Sequence, residues 1–131
     1  MKYLLLLLLL TACQSKENPL TVIDVIDGDT IQLNTGEIVR LICIDAPEKN
    51  EEGYLQSQQA LQEIVQDKNI TLEKDTSERD KYGRLLRYVY ANGKDVGAEM
   101  IRTGYAEVFQ YGPDTKKCEE YREVEGRFKV L

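Results

Sequence analysis

Apolar residues recur along this chain in three rhythms, and each rhythm implies a different element. The first is unbroken: Leu4 through Leu10 follows Lys2 without a polar residue. That run is far too short to cross a bilayer as a helix, which needs about 20 residues. The second is the two-residue alternation of half-buried strands. Thr21 to Ile26 is β-branched and apolar, Asp27-Gly28-Asp29 interrupts it, and Thr30 to Leu33 resumes the pattern. Thr35-Gly36 marks another turn, after which Glu37 to Ile44 predicts a long third strand of a meander. Ile70 to Glu73 and Leu85 to Ala91 predict two further strands, the latter closed by the turn pair Asn92-Gly93. Ala106 to Tyr111 reads as extended, and Thr76 to Tyr82 as a charged loop. The third rhythm is helical. Ala60, Leu61, Ile64 and Val65 give one apolar face to a helix over Ser57 to Gln66. Val96 to Arg102 predicts a second helix ended by Gly104, and Thr115 can cap a third running to about Val124.

This order of elements predicts an α+β fold, a five-stranded OB-fold-like β-barrel with about three packed helices. The first rhythm stands outside it. A basic start, a short apolar core and small residues before a cut site make an export signal. Leu10-Thr11-Ala12-Cys13 resembles a bacterial lipobox, which implies lipid on Cys13 as the first mature residue. An ordinary cleaved signal with Cys13 as a bystander is the plainer alternative. The expected organisation is a lipoprotein signal peptide over residues 1–12, a polar tether over 13–19 and one domain over 20–131. The expected location is the cell envelope or cell surface, with the membrane held through the N-terminal lipid. The domain is expected as a monomer.

Charge narrows the chemistry. The formal net charge is −6, and losing Lys2 with the signal makes it more negative. An acidic protein does not gather polyanions by its overall field, so nucleic-acid binding would rest on local cations and a metal ion. There is no histidine, which excludes His-based triads and imidazole proton shuttles. Cys43 and Cys118, with no histidine to help, cannot complete an ordinary structural zinc site. Cys43 lies among alternating apolar residues, the setting of a buried small hydrophobe. Free thiols are expected at both cysteines, with a disulfide as the alternative in an oxidising compartment.

What remains is carboxylates, arginines, hydroxyls and a hard metal. Two acidic turns stand out, Asp27-Gly28-Asp29-Thr30 and Asp45-Ala46-Pro47-Glu48. Alone, an Asp-Gly pair is an ordinary hairpin turn. Together, adjacent strands of a meander can bring both turns to one end of the sheet, where like charges need a cation. Oxygen-only ligands suit calcium or magnesium. Arg40 precedes the second turn, and Arg84 closes Asp80-Lys81-Tyr82-Gly83-Arg84. A surface arginine is more often a solvated charge, but two arginines facing a metal pocket can grip a phosphate bidentately and neutralise charge in the transition state. Arg79, in the same charged loop, is assigned no role.

Three blocks carry a family resemblance: Val25-Ile26-Asp27-Gly28-Asp29-Thr30, Arg40-Leu41-Ile42-Cys43-Ile44-Asp45-Ala46-Pro47-Glu48, and Asp80-Lys81-Tyr82-Gly83-Arg84. In order and at compatible spacing, they make the chain resemble a staphylococcal nuclease homologue from about Leu20 to Tyr111. The resemblance implies that Asp29, Asp45 and the backbone carbonyl of Ala46 ligate calcium, with Asp27 behind them. It implies Glu48 as the group that holds or deprotonates the attacking water, and Arg40 and Arg84 as the phosphate clamp. Lys81 and Tyr82 would contact a neighbouring phosphate, and Tyr111 would pack on a base. The implied activity is calcium-dependent hydrolysis of DNA or RNA to 3′-phosphate and 5′-hydroxyl products. Ala46 stands where many relatives have threonine, but only its carbonyl is required. The alternative function is a catalytically inactive binding module on the same barrel, or a spacer lipoprotein.

Overall fold

The computed structural model describes residues 18–129. The expected signal peptide, Cys13 and most of the expected tether lie outside the described residues. The elements, in chain order, are β1 (Val22–Asp27), β2 (Thr30–Leu33), β3 (Ile38–Leu41), β4 (Ile44–Asp45), α1 (Tyr54–Val65), β5 (Ile70–Glu73), β6 (Leu85–Ala91), β7 (Lys94–Asp95), α2 (Val96–Arg102), β8 (Glu107–Val108) and α3 (Cys118–Lys129). Their arrangement is the expected α+β fold. The main sheet runs β1-β2-β3-β6-β5, with β7 folded back on β6, and only the β3–β6 pair is parallel. Register slips between Val22 and Asp24 and between Val25 and Asp27 increase the local twist of β1. The sheet rolls far enough for the Ile70 amide of β5 to donate to the carbonyl of Leu20, just before β1, at 2.9 Å. The two edges of a barrel meet there, and the bond covers backbone groups that an open edge would leave unpaired.

Alternation explains the core. Val25, Ile31, Leu33 and Val39 point inward from β1, β2 and β3 and are buried. Leu61 and Val65 come from one face of α1, Met100 and Ile101 from α2, and Tyr121 from α3. Helix α1 begins at Tyr54, earlier than its apolar spacing predicts, behind the left-handed Gly53 (φ 86). The C-terminal helix begins at Cys118, so Thr115 lies ahead of it.

Two expectations are corrected. The long third strand breaks at Ile42–Cys43: the Ile42 amide donates to the carbonyl of Arg87 (3.1 Å), and Cys43 then takes φ 66 and turns the chain away. It resumes as β4, which pairs with β8 in a separate small sheet. The second correction explains that turn. Cys43 and Cys118 are not free thiols but form a disulfide across 75 residues, with Cα atoms 5.1 Å apart. Nothing local in the sequence indicates this proximity, because it depends on how α3 packs over the barrel.

Candidate active site

The turn between β1 and β2 brings the first acidic block into the interior. Asp27 Oδ1 accepts from the Asp29 amide at 3.0 Å. Asp29 is only 4% exposed; its Oδ1 accepts from the Thr30 hydroxyl (2.8 Å) and its Oδ2 from the Ala46 amide (2.8 Å). One carboxylate therefore ties the first acidic turn to the second. Arg40 on β3 sits between them, with Nη2 at 3.3 Å from Asp29 and 3.4 Å from Asp45. Its Nη1 donates to the carbonyls of Leu41 (2.7 Å) and Ile44 (2.9 Å). Both Nη nitrogens are engaged, which fixes the plane of the guanidinium.

These contacts divide the carboxylates electrostatically. Burial pushes the Asp27 carboxyl up to about 7, helped by the hydrogen bond to Asp29 and its charge. Burial alone would raise Asp29 too, but the Asp27 hydrogen bond, the Arg40 charge and the Ala46 amide outweigh it and hold Asp29 below its ordinary value. Asp45 is raised by burial and then by the Asp29 charge, against the pull of Arg40, with the Glu48 charge adding to the effect. Two of the carboxylates, Asp29 and Asp45, share one guanidinium, and burial opposed by that guanidinium and by local hydrogen bonds sets the direction of each shift. Glu48 itself is exposed; its amide donates to Glu51 at 2.9 Å, which ends β4 in a short turn.

Gly28 departs from its sequence-based role. Its φ does not lie in the left-handed region, so the turn itself does not demand glycine. A Cβ there would fall 1.7 Å from Ser57 Oγ and 2.7 Å from Ala46 Cβ. Close approach of α1 and the second acidic turn is the reason for the glycine. Helix α1 also holds the end of β1, through Tyr54 Oη donating to Ile26 O (2.7 Å) and Gln58 Nε2 donating to Val25 O (2.8 Å). Ser57 donates to Tyr105 O at 2.8 Å. These three polar residues support the site, and the helical period, which tracks apolar residues, does not single them out.

On the other side of Arg40 lies a cleft of about 460 Å³. Its walls include Arg40, Lys81, Tyr82, Arg84 and Tyr111, which gathers the expected clamp and substrate contacts in one place. Arg84 donates through Nε to Asp80 Oδ2 at 2.6 Å and lies over the Tyr82 ring, 5.3 Å from its centroid. Lys81 lies over the same ring at 5.1 Å. Phe109 and Tyr111 stack with centroids 6.2 Å apart and planes at 10°, both exposed beside the cleft. Their spacing of two in an extended segment puts both on one side, a signal for Phe109 that the sequence carried. Arg79 is a correction: it lines the cleft, grips Glu37 with two bonds of 2.8 Å, and donates to Gly83 O at 2.9 Å.

Among the described residues, no three carboxylates converge closely enough to enclose a metal by themselves. The fold brings together Asp29 and Asp45 with Arg40 between them. An oxygen-only donor set carrying excess negative charge fits a hard divalent cation.

A bulged, rolled sheet with helices packed on it, carrying an acidic pair beside an arginine-lined cleft, defines an α+β domain of the OB kind. A profile of the staphylococcal nuclease homologue family matches residues 38–129, and the chain belongs to that family. It is 34% identical over 116 residues to a protein of Haemophilus influenzae named as an uncharacterized endonuclease, covering 85% of this chain and 64% of that one. It is 37% identical over 108 residues to the endonuclease YncB of Bacillus subtilis, covering 74% of this chain and 51% of that one. A prophage-derived endonuclease of the same bacterium, YokF, is 36% identical over 115 residues, covering 79% of this chain and 39% of that one. The chain thus spans from 39% to 64% of the length of these relatives.

Proposed function

We propose that this domain is a calcium-dependent nuclease that hydrolyses phosphodiester bonds of DNA or RNA, leaving 3′-phosphate and 5′-hydroxyl ends. One observation carries the proposal: Arg40 contacts both Asp29 and Asp45 and also lines the cleft that holds Arg84. A phosphate seated there meets guanidinium groups on one side and a carboxylate pair on the other. Asp29, Asp45 and the Ala46 carbonyl would hold the calcium ion, with Asp27 behind them. Bound there, calcium supplies Lewis-acid polarisation of a phosphoryl oxygen.

The chain's own residues do the rest. Glu48, solvent-exposed at the rim of the acidic pair, takes a proton from the attacking water or orients it. Arg84 keeps its Nη groups for phosphate oxygens because Asp80 occupies only its Nε and thereby aims the fork. Lys81 and Tyr82 meet a flanking phosphate, and Tyr111 offers its face to a base. Uncatalysed phosphodiester hydrolysis requires an enzyme to remove on the order of 20 kcal/mol, and no single one of these effects supplies that.

The test is degradation of DNA and of RNA with calcium, with excess chelator, and with Asp45→Ala. Cleavage should need calcium and be lost in the variant. Full activity in chelator would sink the metal mechanism, and no cleavage of either polymer would favour the binding module. The same proposal places the domain outside the cytoplasm as a monomer tethered through lipid on Cys13, on the strength of Leu10-Thr11-Ala12-Cys13. Wild type should fractionate with membranes and Cys13→Ser should not; a soluble wild type with an unmodified cysteine would refute the anchor.

A further inference from the structure

The two cationic walls of the cleft come from segments far apart in sequence, and one short stretch of chain holds both. The first wall is the end of β3 and the break after it, where Arg40, Ile42 and Cys43 face the cleft. The second is the loop that carries Ser77, Lys81 and Arg84. Between them lies Asp114, 5% exposed. Its Oδ1 accepts from the amides of Thr76 (3.0 Å) and Ser77 (2.7 Å), clamping the entrance of the second wall. The next bond repeats the clamp, since the Lys116 amide donates to Asp75 at 3.0 Å. Further along that loop, the carbonyl of Glu78 accepts from Arg87 of β6 at 2.9 Å.

The same stretch grips the first wall covalently. Cys118 is bonded to Cys43, and the carbonyl of Asp114 packs 3.6 and 3.8 Å from the two sulfurs. Those sulfurs carry no hydrogen, so this is close packing. Cys43 is also the residue at φ 66 that ends β3 and redirects the chain toward Asp45. Without the disulfide, a left-handed non-glycine residue loses the constraint that holds it against an opposing backbone preference.

We propose that Asp114 and the Cys43–Cys118 disulfide are positioning groups that set the spacing of Arg40 and Arg84 on a phosphate, so that the cleft becomes competent only once the disulfide has formed. This rests on the nuclease reading above. Formation breaks the two S–H bonds and makes one S–S bond. Two electrons and two protons pass, by thiol–disulfide exchange, to a disulfide-bearing oxidant, which leaves as a dithiol. Both sulfurs are buried, at 5% and 1% exposure for Cys43 and Cys118, so the folded bond is shielded from attacking thiols. It acts once, at maturation. A chain still in a reducing compartment keeps a slack cleft, which confines cleavage to the oxidising side.

The experiment measures kcat and KM on a short oligonucleotide with saturating calcium for the full chain. A 1 Å misplacement of a catalytic group can cost about a hundredfold, so Asp114→Ala should lower kcat by about tenfold or more. KM and calcium affinity should change much less. Asp114→Asn keeps the Oδ1 acceptor and should restore kcat to within about twofold of wild type. Wild type refolded under dithiothreitol should keep its far-UV circular dichroism, lose kcat about tenfold, and regain it on oxidation with oxidised glutathione. Unchanged kcat in Asp114→Ala, or equal kcat for oxidised and reduced folded protein, overturns the proposal. A reduced chain that does not fold also overturns it, because stability and not alignment would then explain the loss. An oxidised wild type that cleaves nothing refutes the nuclease reading instead.

Discussion

The site contains two turns built on the same plan, an aspartate folding the chain around a glycine, and they are held in opposite ways. The turn Asp27-Gly28-Asp29 has one bond of its own, from the Asp29 amide to Asp27 Oδ1, and is otherwise held from outside. Its Asp29 is tied to Ala46 and Arg40, its strand end to Tyr54 and Gln58, and its glycine is pressed against Ser57. The turn Asp80 to Arg84 holds itself. Asp80 Oδ1 accepts from the amides of Tyr82 (2.9 Å) and Arg84 (3.0 Å), and the Asp80 and Arg84 backbones pair at 3.0 Å. Gly83 adopts φ +80 with nothing within 4 Å of a would-be Cβ. The chemistry assigned to each follows. The first turn presents crowded carboxylates, and the second presents a half-buried guanidinium on a stiff local frame. Burial preorganises one, and local hydrogen bonding the other.

The sharpest way to break the contrast is Arg84→Lys. A surface lysine for a surface arginine is ordinarily close to neutral. Here Asp80 takes the Nε of Arg84 and leaves a two-pronged group for phosphate. A lysine has one ammonium, which Asp80 would claim. Turnover should fall by about a hundredfold, on the order of 3 kcal/mol, while folding stability stays nearly constant. Arg79→Lys is a graded comparison. It loses the fork to Glu37 and the bond to Gly83 in an exposed pair, for which about twofold is the expected scale. Steady-state kinetics beside denaturant unfolding decides this, and equal small effects from both would remove the clamp.

The same contrast explains how much was legible beforehand. The strands from Thr30 to Leu33, Ile70 to Glu73 and Leu85 to Ala91 and the helix from Val96 to Arg102 match the observed elements because period and turn residues are local signals. The Asp80 to Arg84 block was legible as a family motif at the end of a charged loop, and its folding into a self-bonded turn was not. What the sequence hid depends on tertiary proximity. Alternation ran straight through Ile42 and Cys43 because the break there follows from pairing with β8 and the bond to Cys118. Gly28 looked like a turn glycine, since the neighbour that forbids a side chain, Ser57, lies on a helix folded over it. Arg79 looked idle because its partner, Glu37, lies 42 residues away in sequence. The acidic turns were found by motif, yet the contrast between Asp27, raised by burial, and Asp29, lowered by the Asp27 hydrogen bond and the Arg40 charge, requires the folded contacts.

The two glycines give the mildest and most discriminating test. Both become alanine, the same added methyl, in turns that look alike in sequence. At Gly28 the methyl meets Ser57 Oγ at 1.7 Å and Ala46 Cβ at 2.7 Å, so α1 or the Asp45-Ala46 corner must move. Overpacking of this kind costs about 2–3 kcal/mol, and the displaced Ala46 amide would loosen Asp29, lowering turnover as well. At Gly83 there is room, and the cost is only that of a left-handed L-residue, about 1 kcal/mol. Its carbonyl still accepts from Arg79, so turnover should change little. A double-mutant cycle separates crowding from any other cause. Ser57→Gly removes the nearest atom but forfeits the hydrogen bond to Tyr105, worth about 1 kcal/mol. Combined with Gly28→Ala it should cost less than the two single changes added together, with recovery incomplete because Ala46 Cβ remains in the way. Guanidinium unfolding of all four proteins measures the coupling. Strict additivity, or equal losses at Gly28 and Gly83, would mean that the first turn is as self-sufficient as the second and that α1 does not hold the acidic pair in place.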